Sequence, residues 1–123
     1  MCIRDSPQNA HALNALGYTL ADRTDRHQEA LGYIEQALAL LPDDGAVLDS
    51  MGWVQYRLGN HAKALEYLRR AYRQHADAEI AAHLSEVLWV NDQREEALRI
   101  WREALNKEPD SPHLLRVQNQ FGW

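Results

Sequence analysis

The chain carries one cysteine, Cys2, and one phenylalanine, Phe121, in 123 residues. A lone thiol excludes an internal disulfide and cannot build a thiolate zinc cluster. No apolar run approaches the roughly 20 residues that span a bilayer, and the opening "MCIRDSPQNA" lacks the apolar middle region of a secretory leader. None of the six histidines lies three or four residues from another, and no H-E-x-x-H occurs. A glycine-rich phosphate loop and a nucleophile motif are missing as well. Basic charge is in short supply: the formal net charge is -5, against the basic balance of a phosphate-backbone binder. These absences lead us to expect no cofactor, no metal, no nucleic-acid partner, no membrane insertion by this segment and no catalytic centre.

What the chain does have is apolar residues at 46%, enough for a core in one domain of ordinary size, and a repeat. Three segments align: "HALNALGYTLADRTDRHQEALGYIEQALALLPDD", "AVLDSMGWVQYRLGNHAKALEYLRRAYRQHAD" and "EIAAHLSEVLWVNDQREEALRIWREALNKEPD". Each pairs a large apolar residue with a small one (Leu16-Gly17, Met51-Gly52, Leu84-Ser85) and later carries Ala-Leu (Ala30-Leu31, Ala64-Leu65, Ala97-Leu98). Another alanine follows seven residues on, at Ala37, Ala71 and Ala104. The markers recur at 33 to 35 residues, the length of a two-helix unit in a stacked array.

Each unit reads as two helices. In the second, Leu48, Met51, Gln55 and Leu58 share one face, with a polar flaw at Gln55, and Ala64, Leu65, Leu68, Ala71 and Tyr72 form the second stripe. Between them "LGN" offers Gly59 as a left-handed stop and Asn60 as a cap. "NDQ" takes that place in the third unit; the first has an extra residue in its turn, "ADRTDRHQ", and no glycine there. Asp43-Asp44 and Asp110 read as N-caps, and a seventh helix near 111–120, with Leu114, Val117 and Phe121 on one side, reads as a cap on the array. Gly52 costs about 1 kcal/mol inside a helix relative to Ala. Gly17, Gly52 and Ser85 share a register, so they read as close helix-packing positions.

This pattern resembles the tetratricopeptide repeat family over residues 9–110: a small residue after Leu, Ala early in the second helix, a large residue four later (Ile34, Leu68, Trp101), then Ala and, at Pro42 and Pro109, Pro. It departs where the family's early Trp is Leu13, Leu48 and Ala81, and where its aromatic three residues after the small one is Leu20, Gln55 and Leu88. The resemblance implies an all-α, right-handed superhelical stack. Residues 1–8 precede the repeats, 1–6 reading as foreign to the rest, so that the chain reads as a fragment. Three repeats follow at about 9–43, 44–77 and 78–110, then a capping helix and tail at 111–123. It also implies a concave groove lined by the first helices that binds peptides or proteins. The wording of "NALGYTLADRT", "DSMGWVQYRLG" and "HLSEVLW" further resembles the C-terminal part of long proteobacterial members. Some of these are outer-membrane lipoproteins that partner a periplasmic C-terminal processing protease. That implies a periplasmic or outer-membrane-associated parent, with a cytoplasmic one as the alternative.

The family's contact offsets fall on Asn14, Tyr18, Ala21 and Asp22, on Asp49, Trp53, Tyr56 and Arg57, and on Ala82, Glu86, Trp89 and Val90. The candidate groove residues are therefore Asn14, Tyr18, Asp22, Asp49, Trp53, Tyr56, Arg57, Glu86 and Trp89. Arg57 and Asn14 alone do not make the basic clamp that grips a terminal carboxylate. A partner with apolar or aromatic side chains and some positive charge fits better. Trp53, one residue beyond Gly52, is expected to turn toward the groove, with packing between first helices as the alternative for Trp53, Tyr56 and Trp89. Lys63, Arg69, Arg70 and Arg73 read as a solvated convex face, and His61 and His27 as exposed residues near second-helix starts, with His75 and His83 flanking a turn.

The leading reading is a non-enzymatic protein-interaction scaffold. Two alternatives stand beside it: an architectural end-piece of a longer array, and a non-catalytic region of a larger enzyme. Leu13, Leu16 and Leu20 make an apolar N-terminal edge, so self-association is expected.

Overall fold

The computed structural model describes residues 7–123, with side chains from residue 9 onward; the readings made for residues 1–6 lie outside the described residues. Seven helices follow in order among the described residues: α1 Pro7–Arg23, α2 His27–Leu40, α3 Gly45–Arg57, α4 His61–Gln74, α5 Ala78–Val90, α6 Arg94–Lys107 and α7 Pro112–Phe121. They make three hairpins, α1/α2, α3/α4 and α5/α6, and a closing helix.

Side-chain caps start α3, α5 and α7. Asp44, Asp77 and Ser111 each accept a hydrogen bond from the backbone N–H three residues on, at Val47, Ile80 and Leu114, satisfying a donor the helix cannot. Asp43 and Asp110 are one residue short of this position, so the capping expected of them belongs to Asp44 and Ser111. Asn60 precedes α4 without a side-chain cap; its Nδ2 donates instead to Gln55 Oε1 at 2.8 Å.

Gly59 closes α3 as expected. It has φ 88°, its N–H reaches the Tyr56 carbonyl and the Asn60 N–H the Gln55 carbonyl, a Schellman turn. Asp92, at φ 62°, makes the same turn after α5 without glycine. After α1, Thr24 Oγ1 accepts from the Arg26 N–H and donates to the Leu20 carbonyl. The extra residue of the first unit does not lengthen that turn: three residues link each hairpin, and α1 runs one residue further past its small position.

Each first helix wedges into the hairpin before it. α3 packs on α1 and α2, α5 on α3 and α4, and α7 on α5 and α6. As a result α3 is buried at every position from Val47 to Gln55, and α5 from Ile80 to Leu88. Gly17 and Gly52 bring their helices close to the second helix of the same hairpin. A Cβ at Gly52 would lie 2.6 Å from Leu68 Cγ and 3.2 Å from the Ala64 carbonyl; one at Gly17 would lie 2.5 Å from Ile34 Cγ1 and 3.0 Å from the Ala30 carbonyl. Ile34 and Leu68 are wholly buried by this approach, each contributing about 1.5–3 kcal/mol through removal from water. Gln55, the polar flaw in the α3 stripe, stays in the core because Asn60 satisfies its carbonyl oxygen.

Candidate binding groove

The first helices α1, α3, α5 and α7 line one side of the stack, and His83 of α5 sits where three of them meet. Its Nδ1 is 2.8 Å from Asp49 Oδ1 of α3, its Nε2 is 3.2 Å from the Tyr18 hydroxyl of α1, and its ring stacks on Trp53 with centroids 4.2 Å apart. Burial pulls the His83 pKa down, but the charge of Asp49 and its hydrogen bond outweigh that, and the net shift is upward. Tyr18 can accept from a protonated Nε2 or donate to a neutral one, so the ring keeps both partners in either state. Burial, then the charges of Asp22, Glu79 and Asp49, push the Tyr18 phenol above its ordinary range. It therefore keeps its proton and is a hydrogen-bonding group rather than a nucleophile.

Trp53 lies beneath this contact. Only 3% exposed, it donates from Nε1 to Asp22 Oδ1 at 3.2 Å and packs on Tyr56. It does not turn into an open groove as expected; α1 and α5 come close enough across α3 to enclose it. Asp49 and Glu86 are likewise buried, Asp49 by its pairing with His83. Glu86 faces Arg116 Nη1 at 3.5 Å, and burial and then Glu86 push the Tyr56 pKa up to about 12. Ala21 and Ala82 are buried too. Arg57 leaves the groove to cap α1: its Nε donates to the Ala21 carbonyl at 3.1 Å and its Nη2 to the Asp22 carbonyl at 3.3 Å, a cation at a helix C-terminus.

Asn14 is half-buried, with Oδ1 enclosed and unpartnered. Trp89 is half-buried among Phe121, Trp123 and the Arg94 guanidinium, and Val90 is exposed. Tyr18, Asp22, Asp49, Trp53, Tyr56, Arg57 and Glu86 thus form one connected group around His83 and Arg116, while Trp89 belongs to the far end. What stays open is a cleft of about 280 Å³ lined by Tyr18, Asp22, Arg23, Glu79, His83, His113 and Arg116. Glu79, His83, His113 and Arg116 had no signal in the repeat pattern. His83 stands at the register of Ser50, and the wall from α7 becomes visible only once α7 packs against α5. His83 lies mid-helix and buried, away from the turn it was expected to flank. Among the described residues no cluster of His, Cys, Asp and Glu could hold a metal ion.

Tetratricopeptide repeat models match residues 3–45 and 46–78, between them most of the chain, in register with the first two hairpins. The chain belongs to the tetratricopeptide repeat family. The TPR repeat-containing protein PA4667 of Pseudomonas aeruginosa is 58% identical over 84 residues, which are 68% of this chain and 14% of that protein. Human protein arginine N-methyltransferase 9 is 39% identical over 56 residues, 46% of this chain and 7% of that one. The chain therefore spans a small part of either relative. Among solved structures, the first TPR of Spaghetti bound to an HSP90 peptide superposes with a TM-score of 0.76 at 16% identity, covering 99% of this chain and 100% of that one. That likeness carries the fold: a right-handed superhelical stack of tetratricopeptide hairpins.

Proposed function

We propose that this tetratricopeptide segment is a non-enzymatic scaffold that holds a partner polypeptide in the cleft across α1, α5 and α7. The observation that carries the reading is the cleft itself, where α1, α5 and α7 present Arg23, Asp22, Glu79 and Arg116 around the buried His83. Charges of both signs suit a polypeptide carrying both. They extend the aromatic and acidic surface expected from the sequence, because Trp53 has gone into the floor. Arg23→Glu with Glu79→Lys changes two rim side chains and no floor residue. The full-length parent carrying both should lose at least tenfold in partner capture with an unchanged melting temperature. Undiminished capture would move binding off this cleft.

The finer reading is a parent that sits in the periplasm or at the outer membrane and docks a C-terminal processing protease. It is supported by the resemblance of "NALGYTLADRT" and "DSMGWVQYRLG" to such proteins. Fractionation of the parent, and co-purification of that protease, test it; a cytoplasmic parent would discard it.

A second reading, an end-piece of a longer array, is favoured by α7. Gly52 and Ser85 stand eight residues after the caps Asp44 and Asp77, but Asn119 stands eight after Ser111. A side chain of that size blocks a further second helix from approaching. Partner capture by a parent lacking residues 79–123 would support this reading.

A further inference from the structure

The two seams between successive second helices are equivalent in the repeat and differ in filling. At the α4/α6 seam, Leu65, Leu84, Leu88 and Ile100 are buried, and Arg69 reaches across to grip Glu96 with both Nη atoms. At the α2/α4 seam the residues in the same register are Leu31, Met51, Gln55 and Tyr67, with Glu35 and Lys63 where Arg69 and Glu96 stand. There Glu35 and Lys63 form no ion pair among the described residues, and a cavity of about 490 Å³ remains, lined by both of them and by Leu31, Leu38, Met51, Gln55 and Tyr67. Leu31, Leu38 and Tyr67 are only half-buried. Gln55 is 7% exposed, and among the described residues the sole acceptor of its Nε2 is the Met51 sulfur at 3.8 Å, a weak one.

We propose that this seam, on the side of the stack away from the cleft, binds an extended segment of a partner protein. The segment carries a large aliphatic residue flanked by an acidic and a basic one. Each part answers a group left open. The aliphatic side chain fills the floor of Leu31, Leu38, Met51 and Tyr67. A backbone carbonyl, which an extended segment exposes and a helix hides, accepts from Gln55 Nε2. The basic flank pairs with Glu35 and the acidic flank with Lys63, the pairing that Arg69 and Glu96 complete internally one repeat later.

The test uses two acetylated and amidated tripeptides, Glu-Leu-Lys and Lys-Leu-Lys, titrated against the whole chain and read by NMR. The chain has two methionines, Met1 and Met51, so the Met51 methyl and the Gln55 side-chain amide report directly. Glu-Leu-Lys should shift both signals and bind about fivefold more tightly than Lys-Leu-Lys, the scale of exposed charge pairs. Lys63→Glu should reverse that preference. Glu35→Arg with Lys63→Glu should install the lid of the other seam and abolish binding. Both positions are exposed, and the melting temperatures of these variants verify the fold. The groove variant Arg23→Glu with Glu79→Lys should leave the tripeptide response unchanged, which separates this seam from the cleft. No shift at Met51, equal affinity for the two tripeptides, or binding that survives the installed lid would each overturn the proposal.

Discussion

The two ends of the stack are built from the same repeat and finish differently. At the N-terminal end, Ala12, Ala15, Leu16 and Thr19 of α1 stand 35 residues before Val47, Ser50, Met51 and Val54 of α3. The α3 set is buried because α1 and α2 lie against it; the α1 set is exposed, Leu16 at 46% against 2% for Met51. At the C-terminal end Trp101 donates from Nε1 to the Leu114 carbonyl at 3.0 Å. Trp123 then packs on Trp89, Trp101 and Phe121 with centroids 5.1, 5.6 and 5.5 Å apart. Burial at a given register is thus set by the neighbouring hairpin, and an end without one needs its own aromatic seal or stays apolar and open.

The sharpest way to break this comparison is at the sealed end. Trp101→Ala should cost about 3–5 kcal/mol, as for a buried aromatic truncated in a core, and Trp53→Ala should cost the same in the middle of the stack. Thermal melts with Leu68→Ala as a reference, about 2–5 kcal/mol, check both. A wild-type melting temperature for Trp53→Ala would return its ring to the groove.

Next come the packing glycines. Gly52→Leu should destabilise by about 1–3 kcal/mol through overpacking against Leu68. Gly17→Leu should do the same against Ile34, even though α1 is the open helix, because the clash lies inside its own hairpin. Urea titrations of the two variants decide whether hairpin packing is independent of the end effect.

His83 gives a pH dependence to the contact of α5 with α1 and α3. Its folded pKa is raised, so the folded state holds a proton that the unfolded state loses above about 6.5. The contribution is full below the unfolded value and is lost as pH rises through the folded one. Denaturation midpoints should therefore fall as pH rises from about 6.5. His83→Phe should flatten that slope. Tyr18, Asp49, Glu79 and Arg116 all face the ring or its field, and a slope unchanged by His83→Phe would assign it to another group.

The smallest effect on stability belongs to the open end. Leu16→Ser should change stability by less than about 0.5 kcal/mol, as for a surface site. The exposed stripe should nonetheless drive concentration-dependent association of the wild-type chain, and sedimentation should find Leu16→Ser monomeric. Association that persists in Leu16→Ser would place the sticky surface elsewhere.

The sequence alone determined the helices and how they pair. Apolar residues at helical spacing and the small residues at Gly17, Gly52 and Ser85 are repeating signals, stated three times over, and the turn at Gly59 is a local one. Capping was legible only to within a residue: an Asp or Ser caps by backbone geometry at its own position, which separates Asp44 from Asp43 and Ser111 from Asp110. The groove was legible as a face but not as a surface. Tyr18, Asp22, Asp49, Trp53, Tyr56, Arg57 and Glu86 fall on that face by offset and meet in the structure as one connected group, yet offset carries no information on how closely α1 approaches α5. The approach of α1 to α5 encloses Trp53 and sets the Tyr18 hydroxyl on His83, the packing of α5 on α3 sets His83 on Asp49, and the packing of α7 on α5 brings Arg116 over Glu86. Superhelical closure sums small rotations over successive hairpins. It is decided by packing between units far apart in the chain, and no single repeat encodes it.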